Sequence, residues 1–174
     1  IGRAPHAAQT PFKGALLPAS EEAKRLAHGE AFACRLSFAA AREALGGFGA
    51  LNFAEDGAGP NGETGLITAR PETAGDIVLA RKDVGVAYHL AVVFDDALQD
   101  ITHVIRGEDL FEATLIQRVL QALLGLPTPT YRHHRLLTGP DGKRYAKRDK
   151  AQTLRELRAD GLTPKALRAE MGFA

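Results

Sequence analysis

Three features of this sequence could do chemistry on an anion. The run "ITHVIRG" ends in Arg106 just before Gly107, with a helical stretch behind it. In open α/β sheets ligands sit beyond the carboxyl ends of strands, so a guanidinium there can fork onto a carboxylate or phosphate. An ion pair with Glu108 or Asp109 is the equal local alternative. The second feature is Tyr88 beside His89, where a strand or loop enters "LAVVFDD". Its hydroxyl is able to orient a polar ligand, although a buried tyrosine tip with an internal partner is the commoner arrangement. The third is "GPDGKRYAKRDKA" (139–151), a Pro-Asp-Gly turn followed by Lys143, Arg144, Lys147, Arg148 and Lys150. Such a loop is either solvated surface or a set of cations gathered around a polyphosphate.

Charge distribution favours the second use. The 174-residue chain is nearly neutral at +1, but residues 131–174 hold 11 Lys and Arg against 5 acids, whereas residues 1–130 hold 11 against 16. That asymmetry points to a local anion-binding face rather than general nucleic-acid affinity. Apolar residues at 45% and charged residues at 25% are ordinary for a globular chain and argue against disorder. No apolar run approaches the roughly 20 residues of a membrane helix. The single cysteine, Cys34, excludes an internal disulfide and suits a reducing compartment. With no signal-peptide pattern, the expected setting is the cytoplasm. The chain opens on Ile1 and its sole methionine is Met171, so a fragment, a processed product or an incomplete start is expected.

The elements that must position these residues can be placed from pattern. Residues 1–20 read as irregular. "ASEEAKRLAHGE" predicts a short helix capped by Ser20 and stopped by Gly29. "AFACRLSF" predicts a strand, and 46–65 a loop-rich region with "GAGPNGETG" as a surface turn. "DIVLARKD", "ITHVIRG" and "TYRHHRLL" read as strands, with "YHLAVVFDDAL" an apolar segment between the first two. "EDLFEATLIQRVLQALLGLP" is the clearest helix. Ile116, Val119, Leu120, Leu123 and Leu124 share a face that Glu112, Gln117, Arg118 and Gln121 avoid, and Gly125 and Pro127 end it. Two short helices close the chain, the second capped by Thr163 with Pro164 at its first position. The alternation through 76–137 predicts an α/β layer with a parallel component.

The stretch "DIVLARKDVGVAYHLAVVFDDALQDITHVIRGEDLFEATLIQRVLQALLGLP" (76–127) closely resembles the second half of the glutamyl-tRNA synthetase catalytic domain, a class I family. More narrowly it resembles the short bacterial paralogues, the glutamyl-Q tRNA(Asp) synthetases. "RYAKR" (144–148) falls where that family carries its KMSKS-type loop. The resemblance runs from about Gly75 to Asp149 and more loosely back to Ser20. It implies an α/β fold: the second half of a Rossmann-like catalytic domain at 76–138, an irregular insertion or connecting region at 1–75, and the loop with short C-terminal helices at 139–174. By position, Tyr88 and Arg106 resemble the glutamate-binding pair and Lys147 the ATP-contacting lysine, with Arg144 and Arg148 in support. The implied substrates are L-glutamate, ATP with Mg²⁺, and a tRNA. The paralogues transfer glutamate to the queuosine base of tRNA(Asp), and a monomer is expected.

The sequence also departs from the family. The HIGH-type ATP motif is absent; "AHGE" (27–30) is no substitute, and His28 is expected at an exposed helix end. With that half of the site missing, the isolated polypeptide is expected not to activate glutamate. Because only two small helices follow the basic loop before Ala174, the short paralogue is favoured over a fragment of an ordinary glutamyl-tRNA synthetase. Tyr145 and Ala146 depart from the usual loop residues, which leaves Lys147 the best-matched position. Two other classes stay open: a nucleic-acid-binding helix-turn-helix made by "TLRELRADGLTPKALRAEMGF", and a non-catalytic synthetase remnant. Where relatives read roughly "YPGTC", this chain has "FKGAL", which puts Phe12 and Leu16 at the zinc-ligand positions. Neither side chain can bind a metal, Cys34 is isolated, and His133 and His134 must face opposite ways on a strand. No metal site is therefore expected, and elemental analysis of the protein should find no stoichiometric zinc; one equivalent of zinc would overturn this.

Overall fold

A computed structural model of the chain describes residues 17–71, 75–83, 85–138 and 153–172. The chain divides into two compact units, 1–135 and 136–174. In the first unit the elements are α1 (Ala19–Ala27), β1 (Ala33–Leu36), α2 (Phe38–Ala44), β2 (Asn52–Glu55), β3 (Gly65–Thr68), β4 (Ile77–Arg81), β5 (Gly85–Val86), α3 (Tyr88–Leu98), β6 (His103–Gly107), a 3₁₀ turn (Glu108–Leu110), α4 (Phe111–Leu124) and β7 (Thr130–His134). The strands form two sheets. One has the order β1-β4-β5 and is antiparallel; the other has the order β3-β2-β7-β6. In the second sheet β3 and β2 are antiparallel, while β2, β7 and β6 run parallel. The unit β6–α4–β7 is thus a crossover between parallel neighbours, as the alternating pattern predicted.

Helix α4 supplies the largest single share of the core because its apolar stripe lies on the second sheet. Val119 is fully buried, Leu120 and Phe111 nearly so, and Phe111 meets Phe53 of β2 edge-on at 6.1 Å. Phe53 in turn meets Tyr131 of β7 edge-on at 5.5 Å, so three elements interlock through one aromatic cluster. Gly125 ends α4 in the left-handed region at φ +64°, where a side chain would be strained. The other face of the same sheet is open: Ile105 is 69% exposed and Leu66 74%.

Several expectations need correction. The apolar segment "YHLAVVFDDAL" is the helix α3, so Tyr88 and His89 open a helix rather than standing in a strand or loop. Its near-continuous apolar character hides the period, because α3 packs against both α4 and β4. Gln117 and Gln121, expected on the polar side of α4, are each 2% exposed, whereas Leu124 is 48% exposed. The predicted strand 31–38 stops at Leu36 because Ser37 caps α2, its Oγ accepting from the Ala40 amide. The region 46–65 contains the strand β2, too short to announce itself. Pro18, not Ser20, holds the cap position of α1, and that helix buries no residue.

In the second unit α5 (Leu154–Ala159) opens with a capping box: Thr153 Oγ1 accepts from the Glu156 amide, and the Glu156 carboxylate accepts from the Thr153 amide. α6 (Pro164–Glu170) is capped by Thr163 with Pro164 in its first turn, as predicted. Neither helix buries a residue.

The aromatic interlock sets a stability expectation. Phe53→Ala should lower the unfolding free energy in urea by about 3–5 kcal/mol. Leu66→Ala, on the open face of the neighbouring strand, should change it by no more than about 0.5 kcal/mol.

Candidate functional site

Strand register builds the site. In the β6/β7 pair Arg106 stands opposite His133 and Val104 opposite Tyr131. Residues two apart point the same way, so Arg106, His133 and Tyr131 share the face covered by α4. From α4 come Thr114, Gln117 and Gln121, whose i, i+3, i+7 spacing aligns them on one helical face. Arg106 Nη2 donates to Thr114 Oγ1 and to Gln117 Oε1, the latter at 2.9 Å. Its Nε donates to His133 Nε2 at 3.2 Å, and its guanidinium lies 5.1 Å from the centre of the Tyr131 ring. The hydrogen bonds of Arg106 therefore run across to α4 and β7, not to Glu108 or Asp109. Nη1 has no hydrogen-bond partner among the described residues.

Behind His133 lies Glu55, the last residue of β2. Its Oε2 is 2.5 Å from His133 Nδ1, and both side chains are fully buried. The other carboxylate oxygen, Oε1, accepts from the backbone amides of His133 at 2.8 Å and Gly57 at 2.9 Å. Gly57 is required there, since a Cβ would overlap the His133 carbonyl oxygen. His133 thus meets an acceptor at Nδ1 and a guanidinium donor at Nε2. Only the neutral ring protonated at Nδ1 satisfies both. Burial lowers the His133 pKa; Glu55 pulls it back up and Arg106 pushes it down again. The Thr114 hydroxyl accepts from Arg106 and is 3.0 Å from His133 Nε2 and 3.3 Å from the Leu110 carbonyl.

Around Arg106 three polar atoms are buried without a partner among the described residues: Nδ1 of His89, Nε2 of Gln117 and Oε1 of Gln121. Gln121 uses its amide nitrogen to donate to the Tyr131 hydroxyl at 2.9 Å. His89 lies in the first turn of α3 with 6% exposure, and its pKa falls to about 4, first through burial and then through the charge of Arg106. Asp96, also on α3, is raised by burial while Arg106 pulls it the other way. Unpartnered buried atoms beside an arginine with donors to spare are what a polar ligand would satisfy.

Of the residues singled out from sequence, Arg106 is where the strand pattern put it. Tyr88 opens α3, 44% exposed rather than buried, its ring 5.6 Å from that of His89. Lys147, Arg144 and Arg148 lie outside the described residues, as do Phe12 and Leu16. His133 and His134 do face opposite ways, one buried and one exposed. Cys34 is exposed, and among the described residues no group of three or more His, Cys, Asp or Glu could hold a metal. No helix among them is long and apolar enough to cross a membrane. Sequence reasoning missed Glu55, Thr114, Gln117 and His89. The available signal was the 114–117–121 spacing, which keeps Thr and Gln in phase with the apolar stripe of α4.

A parallel βαβ layer with a guanidinium at a strand end defines the class as α/β. The family model of class I tRNA synthetases (E and Q), catalytic domain, matches residues 62–172, and the chain belongs to that family. Two curated relatives are glutamyl-Q tRNA(Asp) synthetases. That of Rhodobacter capsulatus is 56% identical over 108 residues, 60% of this chain and 39% of the relative; that of Symbiobacterium thermophilum is 46% identical over 103 residues, 59% and 32% respectively. The chain therefore spans about two fifths or less of those relatives. A solved glutamate tRNA ligase from Elizabethkingia meningosepticum shares the fold, with TM-score 0.55 and 23% identity over 84% of this chain and 25% of that one.

The buried histidines set a pH dependence. A folded-state pKa below the unfolded value means that the unfolded chain binds more protons between the two. For His89 stability is full above about 6.5 and is lost as pH falls toward about 4, by up to about 3 kcal/mol. His133 contributes in the same direction. Urea unfolding at pH 7 and pH 4.5 should show this loss, and His89→Gln should reduce it.

Proposed function

We propose that this chain supplies the glutamate-holding part of an adenylate-forming site, in an enzyme that activates L-glutamate with ATP and transfers it to tRNA. The observation that carries the proposal is Arg106: a guanidinium fastened on one side by Thr114, Gln117 and His133, with Nη1 unpartnered among the described residues. Family membership supports glutamate, ATP and tRNA as substrates, and the glutamyl-Q tRNA(Asp) synthetase relatives favour the queuosine base of tRNA(Asp) as acceptor over the terminal ribose of another tRNA.

In the proposed reaction a carboxylate oxygen of glutamate forms a bond to the α-phosphorus of ATP, and the α–β phosphoanhydride bond breaks to release pyrophosphate. A hydroxyl of the tRNA then attacks the acyl carbon and AMP leaves. No protein nucleophile is needed; positioning and charge neutralisation are. Arg106 holds a glutamate carboxylate through Nη1, the one nitrogen of the guanidinium not already donating to Thr114, Gln117 or His133, and Tyr88 orients the same ligand through its hydroxyl. Lys147 is assigned to the phosphates of ATP as a point charge, assisted by Arg144, Arg148 and Mg²⁺. A cytoplasmic monomer suits this reading.

Calorimetry with L-glutamate on this 174-residue chain tests the proposal. Binding is expected, weaker for L-aspartate, with Arg106→Lys losing about ten- to a hundredfold because an ammonium keeps the charge but cannot be fastened by Thr114, Gln117 and His133 while donating to the ligand. ATP–pyrophosphate exchange by the same polypeptide should be absent, since no HIGH-type motif is present. Failure to bind glutamate, or unchanged affinity in Arg106→Lys, would sink the assignment.

A further inference from the structure

We infer that Glu55 and His133 are positioning residues for the ligand-holding arginine: Glu55 fixes the His133 ring with its proton on Nδ1, so that Nε2 accepts from Arg106 Nε and aims the guanidinium at the ligand. The inference rests on the glutamate-site reading for what Arg106 holds, but not for how Arg106 is held.

One proton arrangement pairs both ring nitrogens of His133 with complementary partners, Glu55 and Arg106. Glu55 Oε1 receives two backbone amides, from Gly57 and His133, which can only donate. As an ionised carboxylate, which can only accept, Glu55 faces His133 Nδ1 with Oε2 at 2.5 Å. The ring must carry its hydrogen there. At the other end Arg106 Nε, also only a donor, lies 3.2 Å from Nε2. A ring protonated at Nε2 would set two donors against each other; its hydrogen could go to the second lone pair of Thr114 Oγ1, but Arg106 Nε would then lose its acceptor and Glu55 Oε2 its donor. His133 has no room to turn away: it is 2% exposed, its plane within 10° of parallel to that of Tyr131 at 6.1 Å, and edge-on to Phe111 at 5.2 Å. Ring orientation is thus set by packing and proton position by Glu55. The carboxylate at the end of β2 in this way controls a guanidinium two strands away, on β6.

An isosteric change isolates this from packing. In Glu55→Gln the amide oxygen must stay under the two backbone donors, which turns the amide NH₂ toward His133 Nδ1. The ring then has to move its proton to Nε2, against Arg106. Long-range ¹H–¹⁵N spectra of the labelled full chain at pH 7 report which ring nitrogen is protonated. The unsubstituted chain should show His133 protonated at Nδ1. Glu55→Gln should show Nε2, with glutamate affinity at least tenfold weaker. A merely structural Glu55 would leave the tautomer unchanged. An Nε2-protonated ring in the unsubstituted chain overturns the inference even if Glu55→Gln does not fold, and so does a switched tautomer with unchanged glutamate affinity. If the unsubstituted chain binds no glutamate, the site reading falls, and the tautomer alone then decides whether Glu55 and His133 set the position of Arg106.

Discussion

A positive charge that is held still without being neutralised is the constraint on which the rest of this structure depends. An arginine paired directly with a carboxylate is anchored, but its charge is spent on that partner. Arg106 is anchored by a hydroxyl, an amide oxygen, a neutral imidazole and an aromatic face. Glu55 stands one residue further back, separated from it by His133. The guanidinium is oriented, and its charge remains available to an anionic ligand in a partly dehydrated setting where such a contact is strongest.

That arrangement imposes conditions on the fold. Glu55 reaches His133 only because β2 runs parallel to β7, and the chain leaving β2 crosses close to β7 only because residue 57 has no side chain. Arg106 and His133 meet because the β6/β7 register sets them opposite each other. Thr114 and Gln117 meet Arg106 because α4 lies on that same face. A one-residue slip of β7 would turn His133 to the open side of the sheet and leave both Glu55 and Arg106 without their shared partner. Polar residues are thus built into what is otherwise the hydrophobic seam of the domain, as in other buried networks that fix a single geometry at the cost of tolerance to change.

For a synthetase-type reaction this is an economical design. The chemistry belongs to the substrates, so the protein contributes geometry and charge rather than a nucleophile. Family membership rests on the match through 62–172, a span that holds Arg106 and its partners Thr114, Gln117 and His133, whereas Glu55 lies before it. His89 extends the support: burial beside Arg106 keeps it neutral, which spares the site a second positive charge.

Much was legible in the sequence. Arg106 at a strand end, the parallel alternation, the stop of α4 at Gly125 and the cap at Thr163 all follow from local rules, because turns, caps and strand ends depend on a few neighbouring residues. Resemblance to the glutamyl-tRNA synthetases added glutamate as the expected ligand. What the sequence could not show is which polar residues are inside. Gln117 and Gln121 belong to the polar class and looked solvent-facing, and Glu55 sat in a stretch read as loop. Their burial is decided by what the sheet and α4 bring opposite them. A short strand such as β2 is stable only through its partners, and the proton position on His133 exists only once β2, β7 and β6 are side by side. Local chemistry is written in order along the chain; the pairing of donors with acceptors across 78 residues, from Glu55 to His133, is set by tertiary contact alone.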